Sequence, residues 1–227
     1  MSPTTPTVPM ITLYTWGTPN GRKVSIMLEE CALPYCVQPI DIMKGAQFSP
    51  EFRAINPNSK IPAIVDQQGP EGQPFKLFES GAILCYLAQK TGQFLPAGER
   101  GKYEALQWLM FQMGGVGPTV GQAHHYLRFA PEPVPYAIKR FSDETARLYG
   151  VLDQRLGEAA YLASEYSIAD IATFPWVDRH EFHKIDLDNY PNVRRWYQVI
   201  KARPAVQRGM AVPAATPAPV TLPGTAT

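Results

Sequence analysis

"LYTWGTPNGRKVSIMLEE", residues 13–30, decides the fold. Its first residues are an apolar run that reads as a buried strand, a tight turn containing Pro19 follows, and the remainder has the spacing of an amphipathic helix. A helix N-terminus stabilises anions, a thiolate among them. The turn offers Thr18 and Asn20 but no cysteine, so any sulfur chemistry there needs a sulfur from elsewhere.

Outward from this stretch, residues 11–91 alternate short apolar runs with helical patterns. "ITLYT" and "VQPIDI" read as strands with a helix over Gly21–Leu33 between them. "IPAIVD" and "FKLFE" are two further strands, separated by the Gly/Pro turn region "QQGPEGQP". "SGAILCYLAQK" is a helix with Ser80 at its N-cap and Gly92 past its end. The order is β-α-β, an irregular link, then β-β-α. After a linker over 92–100 the strand signals stop, and residues 101–211 are read as all-helical. The helical stretches are "KYEALQWLMFQMGGVGP", "PYAIKRFSDETARLYGVLDQRLGEAAYLA", "SIADIATFPWVDRHEF" and "VRRWYQVIKARP". Ser167 and Asp170 have the spacing of a capping box, and Asp170 is assigned to stability. A floppy leader (1–10) and an unfolded Pro/Ala/Thr-rich tail (212–227) are expected at the two ends.

The bulk numbers narrow the function. A hydrophobic fraction of 45% over 227 residues supports one or two cores. A formal net charge of +1 gives no reason to expect nucleic acid or an anionic membrane as partner. No apolar stretch approaches the roughly 20 residues needed to span a bilayer, and "MSPTTPTVP" lacks the charged and apolar parts of a signal peptide. Three cysteines, Cys31, Cys36 and Cys85, form no CxxC and cannot all pair. They suggest a reducing, cytoplasmic setting. Cys31 and Cys36 are read as core or near-core thiols.

Three short pieces carry candidate chemistry. In "NSKIPAIVD", Pro62 is either a strand-edge proline or a cis-proline that turns the preceding backbone into a cleft. In "FESGAI", Ser80 caps a helix, and the same helix end suits a carboxylate while Glu79 suits an ammonium group. A ligand with an α-carboxylate and an α-amine satisfies both. At the opening turn, Thr18 and Asn20 either only cap the helix or act on a ligand's thiol as well. Lowering a thiol pKa from about 8.5 by about one unit stabilises thiolate by roughly 1.4 kcal/mol and multiplies its population several-fold.

In order and spacing these pieces resemble glutathione transferases, and more narrowly the bacterial nu class that acts as disulfide-bond oxidoreductases. "TPNGRKVSIMLEE", "KGAQFSPEFRAINPNSKIPAIVD", "LFESGAILCYLAQKTG" and "GGVGPTVGQAHHY" carry the resemblance, which runs from residue 11 to about 208. A fungal nitrogen-regulatory protein with a glutathione transferase-like domain is also similar. The resemblance implies a thioredoxin-like α/β N-terminal domain that binds glutathione, followed by an all-α C-terminal helical bundle. It implies that Thr18 and Asn20 face the glutathione sulfur, that Gln47 and the main chain of Ile61 before Pro62 hold the peptide, with Lys60 close by, and that Glu79 and Ser80 take the γ-glutamyl end. It also implies a homodimer in which Arg140 reaches the neighbouring subunit's site. His124 and His125 fall near the mouth between the halves, either lining the second-substrate pocket or buried in a structural role.

"HEFH", residues 180–183, has i, i+3 histidines where a zincin helix needs i, i+4, so no metal is expected. Tyr14 lies within the strand, before the turn, and is read as packing. The expected activity is thiol–disulfide exchange using the sulfur of bound glutathione, reduced or oxidised. Conjugation of electrophiles, peroxide reduction and a catalytically weak glutathione-binding regulatory module are the alternatives.

Overall fold

The computed structural model describes residues 10–214. Most of the expected leader and tail, residues 1–9 and 215–227, lies outside the described residues. β1 (Ile11–Thr15), β2 (Tyr35–Pro39), β3 (Ala63–Asp66) and β4 (Phe75–Phe78) form one mixed sheet in the order β2-β1-β3-β4. β1 and β2 run parallel, which requires a crossover, and α1 (Pro19–Glu30) provides it. β3 pairs antiparallel with both β1 and β4.

Alternation along β1 buries Ile11, Leu13 and Thr15. Ile11, Leu13 and Ile64 join Val24, Met27, Leu28, Ile83, Leu84 and Leu87 in the main core. The link between β2 and β3, irregular in the sequence reading, contains two 3₁₀ turns and the short α2 (Pro50–Arg53). Phe52 of α2 closes a second small core with Ile40 and Ala63, and Tyr14 packs against its ring as expected. α3 (Ser80–Thr91) lies beside α1.

Beyond it, α4 (Glu99–Phe111) widens into one π turn over Gln112–Val116 and continues as α5 (Gly117–Arg128). Then come α6 (Pro135–Glu158), α7 (Ile168–Val177), α8 (Pro191–Lys201) and α9 (Pro204–Met210). Every residue of α7 is buried, and α7 packs against α1, α3 and α4, so a single core runs through both halves. None of the described helices is long and apolar enough to cross a membrane.

Several boundaries differ from the sequence reading. α1 begins two residues earlier, at Pro19, whose missing N–H suits a first helical position. It ends at Glu30, and Ala32 beyond it has φ +51°. β2 stops at Pro39, one residue before the Ile40 amide bonds to Thr15 O (2.9 Å). "SIADIATFPWVDRHEF" divides after Val177, and His180–His183 form a separate 3₁₀ turn. α9 was not foreseen. It closes back on α1, where Ser25 Oγ donates to Gly209 O at 2.7 Å. A Cβ on Gly209 would lie 2.5 Å from the Ile26 backbone, so only glycine permits this approach. Cys31 is buried, but Cys36 is exposed on β2, contrary to the near-core expectation.

The capping box forms as expected. Ser167 Oγ accepts from Ala169 N, and Asp170 Oδ2 accepts from Ser167 N at 3.0 Å. Asp170 Oδ1 takes two further donors, Leu162 N (3.0 Å) and Trp196 Nε1 (2.8 Å). The carboxylate therefore ties the loop before α7 to α8 from a fully buried position. Asp170→Ala strands those buried donors and should lower unfolding free energy on the order of 3 kcal/mol, measured by denaturant titration. An unchanged midpoint would remove Asp170 from its assigned structural role.

Candidate functional site

At the start of α1 the capping reading holds for Thr18 only; Asn20 is the second helical residue and its side chain makes no cap bond. Thr18 is the N-cap, and its Oγ1 accepts from Gly21 N at 3.3 Å. That bond uses a lone pair and leaves the hydroxyl hydrogen available to an outside acceptor. Asn20 Oδ1 accepts from Trp176 Nε1 at 3.2 Å. An indole N–H can only donate, so the carboxamide orientation follows from chemistry, and Nδ2 faces no partner among the described residues. Both side chains thus use acceptors to hold the fold and keep donors free.

The turn itself is tied to the helical half. Arg179 Nη2 donates to Gly17 O at 2.8 Å. Burial, and then the nearby Arg22, hold the Arg179 guanidinium below its usual pKa. Trp176 sits in a seat shaped by glycine. A Cβ on Gly121 would lie 3.3 Å from the indole Cη2, and one on Gly117 would lie 3.5 Å from its Nε1. Gly121 therefore clears space for the ring that orients Asn20, while a Cβ on Gly117 would press closest on the Gln112 side chain, 2.9 Å from Nε2.

The second group of candidates surrounds the entry to β3. The Ile61–Pro62 bond is cis. The Ile61 N–H and C=O have no hydrogen-bond partner among the described residues. Lys60 is exposed, and its carbonyl accepts from Asn56 Nδ2 at 2.6 Å. Gln47 Oε1 is buried without a partner.

The third group lies at the start of α3. The structure corrects the expected cap: Glu79, not Ser80, precedes the helix, and its φ of +70° with ψ of 110° is unusual for a residue with a Cβ. Such a conformation costs of the order of 1–3 kcal/mol and tends to persist where geometry serves a ligand. No side chain caps α3. The N–H groups of Ser80, Gly81 and Ala82 have no partner among the described residues. Ser80 is buried as the first helical residue, and Glu79 is exposed.

Beneath Ser80 lies a residue the sequence reading missed. Lys23, on the face of α1 turned toward α3, is 1% exposed. Its Nζ donates to Gln112 Oε1 (2.7 Å), Ser80 Oγ (3.3 Å) and Met113 Sδ (3.3 Å). Burial pushes the ammonium down to about 7, while the Glu79 carboxylate pulls it upward. "GRK" looks like an ordinary polar first turn; only the packing of α3 and the π turn over it makes Lys23 interior.

The remaining candidates are not joined to these groups. Ring contacts place His124 in an aromatic cluster with Phe129, Phe182 and His183, and His125 is exposed. Among the described residues His124 Nε2 and both ring nitrogens of His183 have no partner, so the expected hydrogen-bonded alternative for His124 is not seen at that atom. Burial pushes His183 down to about 3, followed by the charges of His124 and Arg179. Arg140 lines an open cavity of about 650 Å³ between α5 and α6, away from the Thr18 turn. Among the described residues no group of three or more His, Cys, Asp or Glu side chains is arranged to hold a metal.

Known proteins resemble this chain over nearly its whole length. The glutathione S-transferase N-terminal domain profile matches residues 18–90, and the C-terminal domain profile matches 118–204. The disulfide-bond oxidoreductase YfcG of Escherichia coli (strain K12) is 51% identical over 203 residues, which is 88% of this chain and 94% of that protein. A glutathione transferase of Burkholderia graminis, solved with two glutathione molecules per subunit, superposes with a TM-score of 0.87 at 48% identity, over 92% of this chain and 90% of that one. A glutathione transferase of Pseudomonas putida, solved with one glutathione disulfide per subunit, gives 0.88 at 45% identity, over 92% and 94%.

The depressed ammonium of Lys23 predicts a stability signature. Between about pH 7 and 10 the unfolded chain holds a proton on this lysine that the folded chain has released, so folding gains stability as pH rises. The unfolding free energy of the wild type minus that of Lys23→Met should be flat below pH 7. Above it the difference should climb by up to about 1.4 kcal/mol per pH unit. A difference independent of pH from 6 to 9.5 would mean that Lys23 keeps an ordinary pKa.

Proposed function

The chain belongs to the glutathione S-transferase family, and from that we propose a glutathione-dependent disulfide-bond oxidoreductase whose reactive sulfur is the ligand's own. One observation carries the reading: the turn before α1 presents two free donors, from Thr18 and Asn20, and holds no cysteine. The protein's thiols are poor substitutes. Cys31 is at the opposite end of α1, about 18 Å along a 12-residue helix. Burial pushes the Cys31 and Cys85 thiols up, away from thiolate.

The residues divide by the part of glutathione they meet. The Thr18 hydroxyl and Asn20 Nδ2 donate to the thiolate and, with the α1 N-terminus, favour it over the thiol. The unpartnered Ile61 main chain before Pro62 is an edge for the cysteinyl backbone, and Gln47 and Lys60 are at hand for the rest of the peptide. Glu79 meets the γ-glutamyl amine, and Ser80 with the open N–H groups of α3 meets its carboxylate.

Exchange then runs in two displacements. Glutathione thiolate attacks one sulfur of the substrate disulfide, that S–S bond breaks, and the departing sulfur takes a proton as thiol. A second glutathione thiolate attacks the glutathione sulfur of the resulting mixed disulfide, releasing the second thiol. Two glutathiones become glutathione disulfide, and one substrate disulfide becomes two thiols. The Burkholderia graminis protein has two glutathiones bound per subunit and the Pseudomonas putida protein one glutathione disulfide, which supports this reading.

The finer reading is a nu-class, cytoplasmic homodimer working without metal. In it the N-terminal domain (11–91) binds glutathione, and the helical domain (101–211) supplies the second-substrate side. Arg140 is exposed and so available to a neighbouring subunit. Of the two adjacent histidines, only the exposed His125 suits contact with a second substrate.

Changing all three cysteines to Ser should leave glutathione-dependent reduction of a small disulfide within a few-fold of wild type, assayed by glutathione disulfide formation; loss traced to one cysteine would overturn the borrowed-sulfur mechanism. Asn20→Ala should lower kcat/KM about ten- to a hundred-fold with a melting temperature within a few degrees. Trp176→Phe keeps an aromatic ring, smaller than the indole, and removes the N–H, so it should raise the apparent pKa of the thiol in the pH–rate profile. An unmoved profile would show that Asn20 needs no such support. Rates with a chloro-nitroaromatic, measured alongside, distinguish conjugation from disulfide reduction.

A further inference from the structure

The deepest polar group near the candidate site is Lys23, and the chemistry above gives it no task. Its Nζ meets one serine hydroxyl, one carboxamide oxygen and one thioether, and no carboxylate lies within ion-pair distance among the described residues. A buried charge is normally paired with an opposite one. The chamber has been fitted to the ammonium from three elements. α1 brings the lysine, α3 brings Ser80, and the π turn brings Gln112 and Met113. A Cβ on Gly81 would lie 3.1 Å from Met113 Cγ, so the glycine lets Met113 lie over α3 and roof the chamber. The carboxamide is asymmetric there: Gln112 Oε1 takes the lysine proton, and its buried Nε2 has no partner.

We propose that Lys23 is a specificity-determining residue for the γ-glutamyl end of the ligand, and that it acts through Ser80 to demand an anionic α-carboxylate. This rests on the glutathione reading of the preceding section. An ammonium only donates, so Ser80 Oγ is the acceptor in its bond to Lys23. The serine hydrogen is thereby turned away from the lysine. Without ligand its neighbour is Met113 Sδ at 3.6 Å, a weak acceptor. An arriving carboxylate offers a stronger one and adds the counter-charge that the chamber lacks. The free N–H groups of Ser80, Gly81 and Ala82 face the same end of α3. These backbone groups are donors, and Lys23 stands behind them through Ser80, with Glu79, exposed, the nearby carboxylate. A carboxamide brings its own donors and no charge, so it cannot hold the proton on Lys23 as a carboxylate does.

Isothermal titration with glutathione and with its γ-glutamyl α-carboxamide analogue tests this. The wild type should prefer glutathione by at least about fifty-fold. In Lys23→Met the ratio should fall to a few-fold, mainly through weaker binding of glutathione. Gln112→Glu keeps the lysine and gives it an internal counter-ion at the position of the present 2.7 Å bond. It should fold whether or not Lys23→Met does, and it too should reduce the preference to a few-fold. Equal discrimination in wild type and Gln112→Glu, or a wild type indifferent to the amide, would overturn the role of Lys23 while leaving glutathione binding in place. No glutathione binding by the wild type would instead overturn the functional reading on which it rests.

Discussion

The open N-termini of α1 and α3 are the constraint on which the candidate site depends. Neither α1 nor α3 has an acidic residue in its first turn, and α3 has no side-chain cap at all. Unsatisfied amides and positive dipole ends are thereby available to anions. At α1 the cap is present, but Thr18 uses only a lone pair for it. Helix capping occupies one lone pair and leaves the hydroxyl hydrogen of the same side chain free for another acceptor. Asn20 follows the same rule, with its oxygen held by Trp176 and its nitrogen free.

The supports of both helix ends come from the other half of the chain. Trp176 on α7 orients Asn20, Arg179 just beyond α7 holds the Gly17 carbonyl, and Gln112 in the π turn holds Lys23. The π turn has a visible purpose in this arrangement. It carries Gln112 and Met113 toward α1 and α3 just before α5, whose Gly121 clears space for Trp176. One buried core continues across the boundary between the halves, with α7 against α1, so these supports are fixed by packing rather than by a flexible linker. Substitutions at Gly117, Gly121 or Trp176 accordingly act on the opening turn from a distance, through contact.

Local charge here departs from the whole-molecule balance. A net charge of +1 says little about the first turns of α1, where Arg22 acts on Arg179 and Lys23 is buried. Burial strengthens each of these fields relative to water. Desolvation costs Lys23 part of its affinity for its proton, and Arg179 shifts in the same direction through burial and then the charge of Arg22. A site of this kind attracts anionic groups without making the protein as a whole basic.

The sequence alone determined the β-α-β and β-β-α order, the helical second half, the capping box at Ser167 and Asp170, and the three short motifs around Thr18, Pro62 and Ser80. These are local features: period, turn chemistry and cap spacing are written within a few residues. It left Lys23, Gln112 and Trp176 indistinguishable from an exposed lysine, a surface amide and a core aromatic. It also placed Ser80 at a cap that Glu79 occupies and treated Cys36 as near-core. Only the tertiary structure decided those points. Burial and hydrogen-bond partners are set by residues far apart in the chain, 89 positions for Lys23 with Gln112 and 156 for Asn20 with Trp176. No periodicity within a single element carries that information, because it comes into being only when two elements pack face to face.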